Sequence, residues 1–171
     1  MTHSISAAAS DAIHDMVTRF LSAVNALGDT GNGWTRPSYS DLESAAHRIV
    51  ADRAQALGLI VTRDWAGNLF ARLPGRDPGA APLYVGSHLD TVSAGGAYDG
   101  QAGVAGALAL AAGVRAAGVT LPMDLIVTVT RAEESVWFPV SYIGSRAALG
   151  RLSPQELQAR RVDTGRTLAD H

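Results

Sequence analysis

Residues 86–106 read GSHLDTVSAGGAYDGQAGVAG and place one histidine, two aspartates and several glycines between two apolar segments. The residues just before them, LYVGS at 83–87, have the β-branched and aromatic composition of a buried strand. His88 and Asp90 therefore fall at the carboxyl end of this predicted strand, the edge of an α/β sheet where ligands usually bind. The glycines that follow let the chain turn back, so that Asp99 can face His88. This pattern predicts a metal site.

A pair of acids follows the next strand candidate. Residues 125–130 read LIVTVT, and Glu133 and Glu134 come shortly after them. If the two strands are parallel neighbours, their carboxyl ends bring His88, Asp99 and one glutamate together. Imidazole and carboxylate ligands suit Zn²⁺, Mn²⁺ or a similar ion. The other glutamate is then free to take a proton from water that the ion has acidified.

Composition limits the possible functions. The chain has 171 residues, 47% of them apolar, and a formal net charge of −2, which fits one globular domain. Cysteine is absent, so any ion must be held by His, Asp and Glu. Without a basic surplus, nucleic acid is not an expected partner. The longest apolar run, residues 102–114, is shorter than the roughly 20 residues of a spanning helix, and no signal-peptide pattern opens the chain, so we expect no membrane role and a cytoplasmic location.

Apolar periodicity predicts the remaining elements. Helical spacing occurs at 11–27, in a helix opened by a capping box of Ser40 and Glu43, in the small-residue segment 103–117, and in a short helix at 145–149. A further helix start is predicted at SPQEL, residues 153–157. Short strands at 59–62 and 68–73 are expected to form a hairpin.

Several motifs together resemble the N-carbamoyl-L-amino-acid hydrolase and allantoate amidohydrolase family, which belongs to the co-catalytic dimetal aminoacylases and carboxypeptidases. They are GSHLDTVSAGGAYDG, the acidic EES, SYIGSRAALG, WTRPSYS at 34–40 and AGNLFARLPG at 66–75. With the order of elements, this resemblance implies an α/β fold with a mixed, mostly parallel central sheet flanked by helices. The expected domain is of the dizinc aminopeptidase-like type and is apparently truncated.

The resemblance also implies roles for individual residues. It makes His88 a ligand of one metal, with Asp90 as the catalytic partner that orients the imidazole. Asp99 corresponds to the carboxylate that bridges two ions, Glu133 to the general base, and Glu134 to a ligand of the second metal. The implied cofactors are two divalent ions from the set Zn, Mn, Co and Ni, with an incomplete site in this chain.

The implied reaction is hydrolysis of a linear amide or ureido C–N bond in a small carboxylate substrate, either an N-carbamoyl-L-amino acid or an allantoate-like ureido acid. An aminoacylase or dipeptidase of the same group is the alternative. Where the family often has EEGSRF, this chain has EESVWF, which places Trp137 at a position that bears on substrate preference.

The family's later motifs do not occur in this sequence. They are a His ligand in a His-X-Glu-Gln-Gly context, an inserted dimerisation domain and a late His ligand. Residues 1–171 are therefore expected to form one partial catalytic domain without the lid or dimerisation domain, and a homodimer is expected only of the complete enzyme. A third hypothesis is a catalytically silent metal-binding or interaction module.

Simpler interpretations apply to several residues. Asp99 could be a turn former in YDG, Asp90 a turn cap, and Glu133 and Glu134 solvated acids. Trp137 and Phe138 could belong to the core rather than to a substrate pocket, and Arg36 is expected to be structural. The remaining histidines are expected on the surface or in the core: His3, His14, His47 and His171.

Overall fold

The computed structural model describes residues 4–171, in which four strands and four α-helices make up the regular structure. The strands are β1 Ile60–Arg63, β2 Leu69–Leu73, β3 Leu83–His88 and β4 Leu125–Thr130. The helices are α1 Ala7–Asn25, α2 Asp41–Ala56, α3 Gln101–Ala116 and α4 Ile143–Ala148. Two short 3₁₀ turns follow, at Glu156–Gln158 and Leu168–Asp170. His3 lies outside the described residues.

The four strands form one mixed sheet in the order β1-β2-β4-β3. β3 and β4 are parallel neighbours, with His88 opposite Thr130, which meets the condition for bringing His88 and the glutamates together. β1 and β2 form the expected antiparallel hairpin, and β2 also pairs with β4 in the antiparallel direction. The α/β class with a mixed sheet is confirmed. The expectation of a mostly parallel sheet differs from the observed pairs, because the hairpin inserts its second strand beside β4.

One face of this sheet forms the main core with α1, α2 and α3. Along β4 burial alternates, with Leu125, Val127 and Val129 fully buried on the helix-covered face. α3 lies so close to the sheet that a Cβ added at Gly103 would be 2.7 Å from Cβ of Ser87. The small residues predicted to allow close packing therefore do so.

β3 is less buried than its composition predicts. It pairs with β4 alone among the described residues, and Tyr84 and Leu83 are exposed by 57% and 47%. An edge position, rather than a central one, accounts for this difference. Only its last residue, His88, is buried.

Helix boundaries follow the sequence signals in part. Ser40 caps α2, since its hydroxyl accepts the N–H of Glu43 at 3.2 Å, but the Glu43 carboxylate accepts the N–H of Tyr39 rather than that of Ser40. α4 begins at Ile143, two residues before the predicted start, and the predicted helix at SPQEL is only a 3₁₀ turn. In residues 4–171 no helix is both long and apolar enough to span a bilayer.

A second hydrophobic cluster lies beyond β4 and includes Trp137, Phe138, Ile143 and Leu168. The indole N–H of Trp137 donates to the carbonyl oxygen of Thr91 at 2.6 Å. This bond ties the loop after β4 to the loop after β3, and it fixes the two segments that carry the predicted site residues.

Candidate metal centre

The predicted site residues meet where β3 and β4 end. His88 closes β3 and is 7% exposed. Its Nε2 atom lies 3.6 Å from an oxygen of Asp99 and 3.7 Å from an oxygen of Glu133. The parallel register places the ends of both strands at one edge of the sheet, which brings these groups together.

The other ring nitrogen of His88 faces Asp90. Nδ1 lies 3.0 Å from the Asp90 carbonyl oxygen and 3.4 Å from its carboxylate. A proton on Nδ1 leaves Nε2 as the lone-pair nitrogen, directed toward Asp99 and Glu133. This is the arrangement of a metal-binding histidine oriented by an acidic partner.

His88 is surrounded by negative charge. Burial lowers its pKa, but the hydrogen bond and charge of Asp90, with the charge of Glu133, outweigh burial and raise the pKa to about 9. The imidazole is therefore protonated at neutral pH when no metal is bound. A divalent cation would replace this proton as the partner of the surrounding carboxylates.

Asp90 is fully buried and does more than orient the imidazole. It accepts the Ser38 hydroxyl at 2.6 Å and the backbone N–H groups of Glu133 and Glu134 at 3.1 and 3.0 Å. Burial alone would raise its pKa, but the hydrogen bonds and charge of His88 and the Ser38 bond lower it. One ionised carboxylate thus connects the ends of both strands.

His88, Glu133 and Glu134 can each offer one ligand atom such that all three atoms lie within 4.8 Å of one another. Asp99 is close to His88 but is not part of this triad, and its side chain is 61% exposed. Burial raises the pKa of Glu134, and although His88 opposes this shift, Asp99 and other nearby acids add to it. Among the residues that the structure describes, none of these carboxylates pairs with an arginine. An imidazole with three such carboxylates fits a divalent cation.

A cavity of about 470 Å³ lies beside α4 and the carboxyl-terminal segment. It is lined by Tyr39, Trp65, Arg131 and apolar residues of α4 and the carboxyl-terminal segment, and by none of the four acidic or histidine site residues.

Other residues fall where the simpler interpretations place them. Trp137 and Phe138 are buried in the second cluster, so they act in packing. Arg36 is fully buried, and its Nε donates to the Leu89 carbonyl oxygen at 2.8 Å. His47 is buried, whereas His14 and His171 are exposed.

Three buried residues around the site were not singled out by the sequence. Ser38 binds Asp90, Glu43 binds the N–H of Ala132, and Asn68 binds the N–H of Arg131. Glu43 was noticed only as a helix-capping residue. Ser38 and Asn68 lie within WTRPSYS and AGNLFARLPG, two motifs that carry the family resemblance. Their membership in these motifs is the sequence signal that could identify them.

Comparison with known proteins assigns the family. Residues 68–163, more than half of the chain, match the family described as Peptidase family M28. The chain belongs to peptidase family M28. The matched region of this M28 chain contains every residue of the candidate metal centre.

The chain is also similar to amidohydrolases. It is 37% identical over 148 residues to the N-carbamoyl-L-amino acid amidohydrolase of Geobacillus stearothermophilus, covering 84% of this chain and 36% of that protein. It is 29% identical over 157 residues to the allantoate amidohydrolase of Bacillus subtilis, covering 91% of this chain and 38% of the relative. These relatives confirm the resemblance read from the motifs.

The fold is also shared with solved structures. A hydantoinase/carbamoylase family amidase from Burkholderia ambifaria superposes with a TM-score of 0.82 at 31% identity, over 90% of this chain and 38% of that chain. This M28 chain thus spans little more than a third of the length of the relatives it matches.

Proposed function

We propose that this chain carries metal ligands and the general base of an amidohydrolase that cleaves a linear C–N amide or ureido bond in a small carboxylate substrate. The observation that supports this most is the position of His88, whose Nε2 atom faces Asp99 and Glu133 at the shared edge of two parallel strands. The names of the similar amidohydrolases give the reaction class.

His88, Asp99 and Glu134 are the residues that we assign to metal binding. Asp90 fixes the ring of His88 so that Nε2 points toward the acids. A bound divalent cation supplies Lewis acidity, which polarises a carbonyl group and lowers the pKa of water to about 7 in favourable sites. The sequence offers three such ligands, so the assignment describes part of a site for two ions.

Glu133 is assigned the proton transfers. Its side chain is 31% exposed, so a water molecule and a substrate can reach its carboxylate. Glu133 accepts a proton from the attacking water and returns it to the departing nitrogen. Asp90 holds the backbone N–H of Glu133 at 3.1 Å, which keeps this carboxylate beside His88 during both steps.

We propose an N-carbamoyl-L-amino acid or an allantoate-like ureido acid as the substrate, because relatives with both names match most of this chain. An aminoacylase or dipeptidase activity is the alternative within the same chemistry. Ureido substrates release ammonia on hydrolysis, whereas N-acyl amino acids release a carboxylic acid and an amine. Ammonia release therefore separates the two.

The experiment that tests the function uses a chimera in which residues 1–171 replace the matching segment of the Geobacillus stearothermophilus relative. We expect the metal-loaded chimera to release ammonia from N-carbamoyl amino acids. Glu133→Gln should lower kcat by about 10²- to 10⁴-fold, because the proton acceptor is lost. A folded, metal-loaded chimera that is inactive, or one whose activity is unaffected by Glu133→Gln, would contradict the proposal.

The silent-module alternative concerns the chain by itself. It is favoured by the share of the relatives that the chain covers, 36% to 38%. Under this alternative the isolated chain binds metal but shows no turnover. Turnover by the isolated chain that disappears in Glu133→Ala would exclude it.

A further inference from the structure

The segment that carries the two glutamates leaves β4 in an unusual conformation. Ala132 has a φ of 50°, in the left-handed region that residues with a Cβ rarely adopt, and its side chain is fully buried. Such a conformation persists only where surrounding contacts hold it. The contacts that hold residues 131–134 therefore decide where Glu133 and Glu134 point.

Every backbone N–H of this segment is bound by a buried side chain. The N–H of Arg131 donates to Oδ1 of Asn68 at 2.8 Å, and the N–H of Ala132 donates to Oε1 of Glu43 at 2.9 Å. The next two N–H groups donate to the two carboxylate oxygens of Asp90. The three acceptor residues are each at most 1% exposed.

The carbonyl groups of the first three residues of the segment are bound as well. The oxygens of residues 131, 132 and 133 accept the N–H groups of residues 144, 143 and 142 at 2.9, 3.1 and 3.3 Å. These donors lie at the start of α4, where N–H groups have no partner within the helix. Asn68 strengthens the same contact, because its Nδ2 donates to the Gly144 carbonyl oxygen at 2.8 Å.

Glu43 binds the N–H of Ala132 although burying a carboxylate is energetically unfavourable. It is a fully buried carboxylate, which is unfavourable unless charge and hydrogen-bond partners surround it. It pairs with Nη2 of Arg131 at 2.9 Å and accepts the N–H of Tyr39 at 2.6 Å. A capping residue of α2 would bind the N–H of Ser40, but this one reaches across to Ala132.

We propose that Glu43 and Asn68 are positioning residues for the glutamate pair. Together with Asp90 they form a clamp, defined as the side chains of Glu43, Asn68 and Asp90, that binds four successive N–H groups and sets the direction of Glu133 and Glu134. The inference rests on the proposed metal centre. Neither Glu43 nor Asn68 touches the site itself.

The first arm of the test measures metal affinity. Mn²⁺ and Zn²⁺ are titrated into Glu43→Leu, Asn68→Leu and Val50→Ala variants under conditions where circular dichroism shows each to be folded. Val50 is a fully buried apolar residue of α2 whose side chain can bind none of the N–H groups held by the clamp, so Val50→Ala serves as the control for a loss of stability. We expect the two clamp variants to bind metal about 10- to 100-fold more weakly, as for other residues that orient metal ligands, and Val50→Ala to bind as the wild type does.

The conservative variant Glu43→Gln gives a further readout. Its carbonyl oxygen can still accept the N–H of Ala132, although the amide group opposes the N–H of Tyr39. We expect its metal affinity to lie between those of the wild type and Glu43→Leu. Clamp variants that bind metal as tightly as Val50→Ala does would overturn the proposal.

The second arm does not depend on metal. Amide hydrogen exchange is measured in the metal-free chain at Ala132, Glu133 and Glu134. Glu43→Leu should speed exchange at these amides by at least about tenfold relative to Val50→Ala, because their acceptors are lost or displaced. Unchanged local protection in Glu43→Leu would overturn the clamp. If the wild type bound no metal, the proposed function would be wrong. The hydrogen-exchange measurement would still decide whether Glu43 positions the backbone of residues 132–134.

Discussion

Asp90 is the residue at which the hydrogen bonds of the site converge. Its carboxylate binds Ser38 and the backbone of both glutamates, and its carbonyl oxygen faces His88. The family resemblance implies the contact with His88, which lies two residues earlier in the sequence. The contacts with the glutamates span 43 and 44 residues, and a local pattern cannot reveal them.

The substitution Asp90→Asn should weaken metal binding. The amide retains one oxygen but places its NH₂ group against a backbone N–H, so one of the glutamates loses its anchor. We expect Mn²⁺ affinity to fall about 10- to 100-fold and the free energy of unfolding to fall by about 1 to 3 kcal/mol. Calorimetric titration and urea denaturation measure the two effects.

A surface carboxylate supplies the control for that substitution. Asp77 accepts the N–H of Gly79 in an exposed turn and is not one of the residues assigned to the site. Asp77→Asn removes the same charge and should leave metal affinity unchanged. Wild-type metal affinity in Asp90→Asn would show that the carboxylate does not organise the centre.

The raised pKa of His88 predicts a pH dependence for the metal-free chain. The pKa is about 9 in the folded protein and 6.5 by reference, so the folded state binds the proton more tightly. The resulting stabilisation is complete below pH 6.5 and is lost as pH rises through about 9. It amounts to at most about 3 kcal/mol.

Urea denaturation with a chelator present, at pH values between 6 and 10, measures this effect. The difference in unfolding free energy between the wild type and His88→Gln reports the contribution of His88 and its acidic neighbours, since groups remote from His88 titrate alike in both. This difference should shrink as pH rises. A constant difference would contradict the charge environment described for His88.

At the scale of elements, sequence patterns predict the strands better than the connections. The apolar runs before His88 and before Glu133 predict β3 and β4, and the structure meets the condition that the two strands are parallel neighbours. The small residues of α3 predict its close approach to the sheet. The left-handed turn at Ala132 and the early start of α4 depend on Glu43 in α2 and on Asn68 just before β2, 89 and 63 residues away, so sequence spacing could not predict them.

The packing of α4 against the glutamate segment leaves no room for a side chain at Gly144. A Cβ there would lie 2.3 Å from the backbone oxygen of Arg131. Gly144→Ala should lower the free energy of unfolding by about 1 to 3 kcal/mol, because either helix or segment must move. Urea denaturation measures the loss.

Gly106 of α3 is the matched control. An added Cβ there meets no atom within 4 Å, and the residue is exposed. Gly106→Ala should be neutral or stabilising by up to about 1 kcal/mol, because alanine is the better helix former. Equal effects of the two substitutions would contradict the close contact at Gly144.

At the scale of the whole molecule, the helices pack on one face of the sheet, and the other face is more open in the described residues. Ile60 and Tyr84 on that face are 47% and 57% exposed, and β3 has one hydrogen-bonding edge without a strand partner in residues 4–171. The sequence patterns predict the strands themselves but do not indicate which strand lies at an edge of the sheet.

An open face and edge of this kind favour self-association. We expect the purified chain to form larger species as its concentration rises in sedimentation velocity experiments. Tyr84→Lys should shift the population toward the monomer, because a charge opposes stacking and edge pairing. A chain that stays monomeric at all concentrations would show that the open face and the β3 edge do not mediate self-association.

The central claim is that this chain holds a divalent metal through His88 and its neighbouring acids. The most direct test is calorimetric titration of the metal-stripped chain with Mn²⁺ and Zn²⁺, beside His88→Ala, Asp99→Ala and, as control, the exposed His14→Ala. Saturable binding that is lost in the first two variants and kept in the third is the predicted result. No binding, or binding that is indifferent to His88 and Asp99, would contradict the claim.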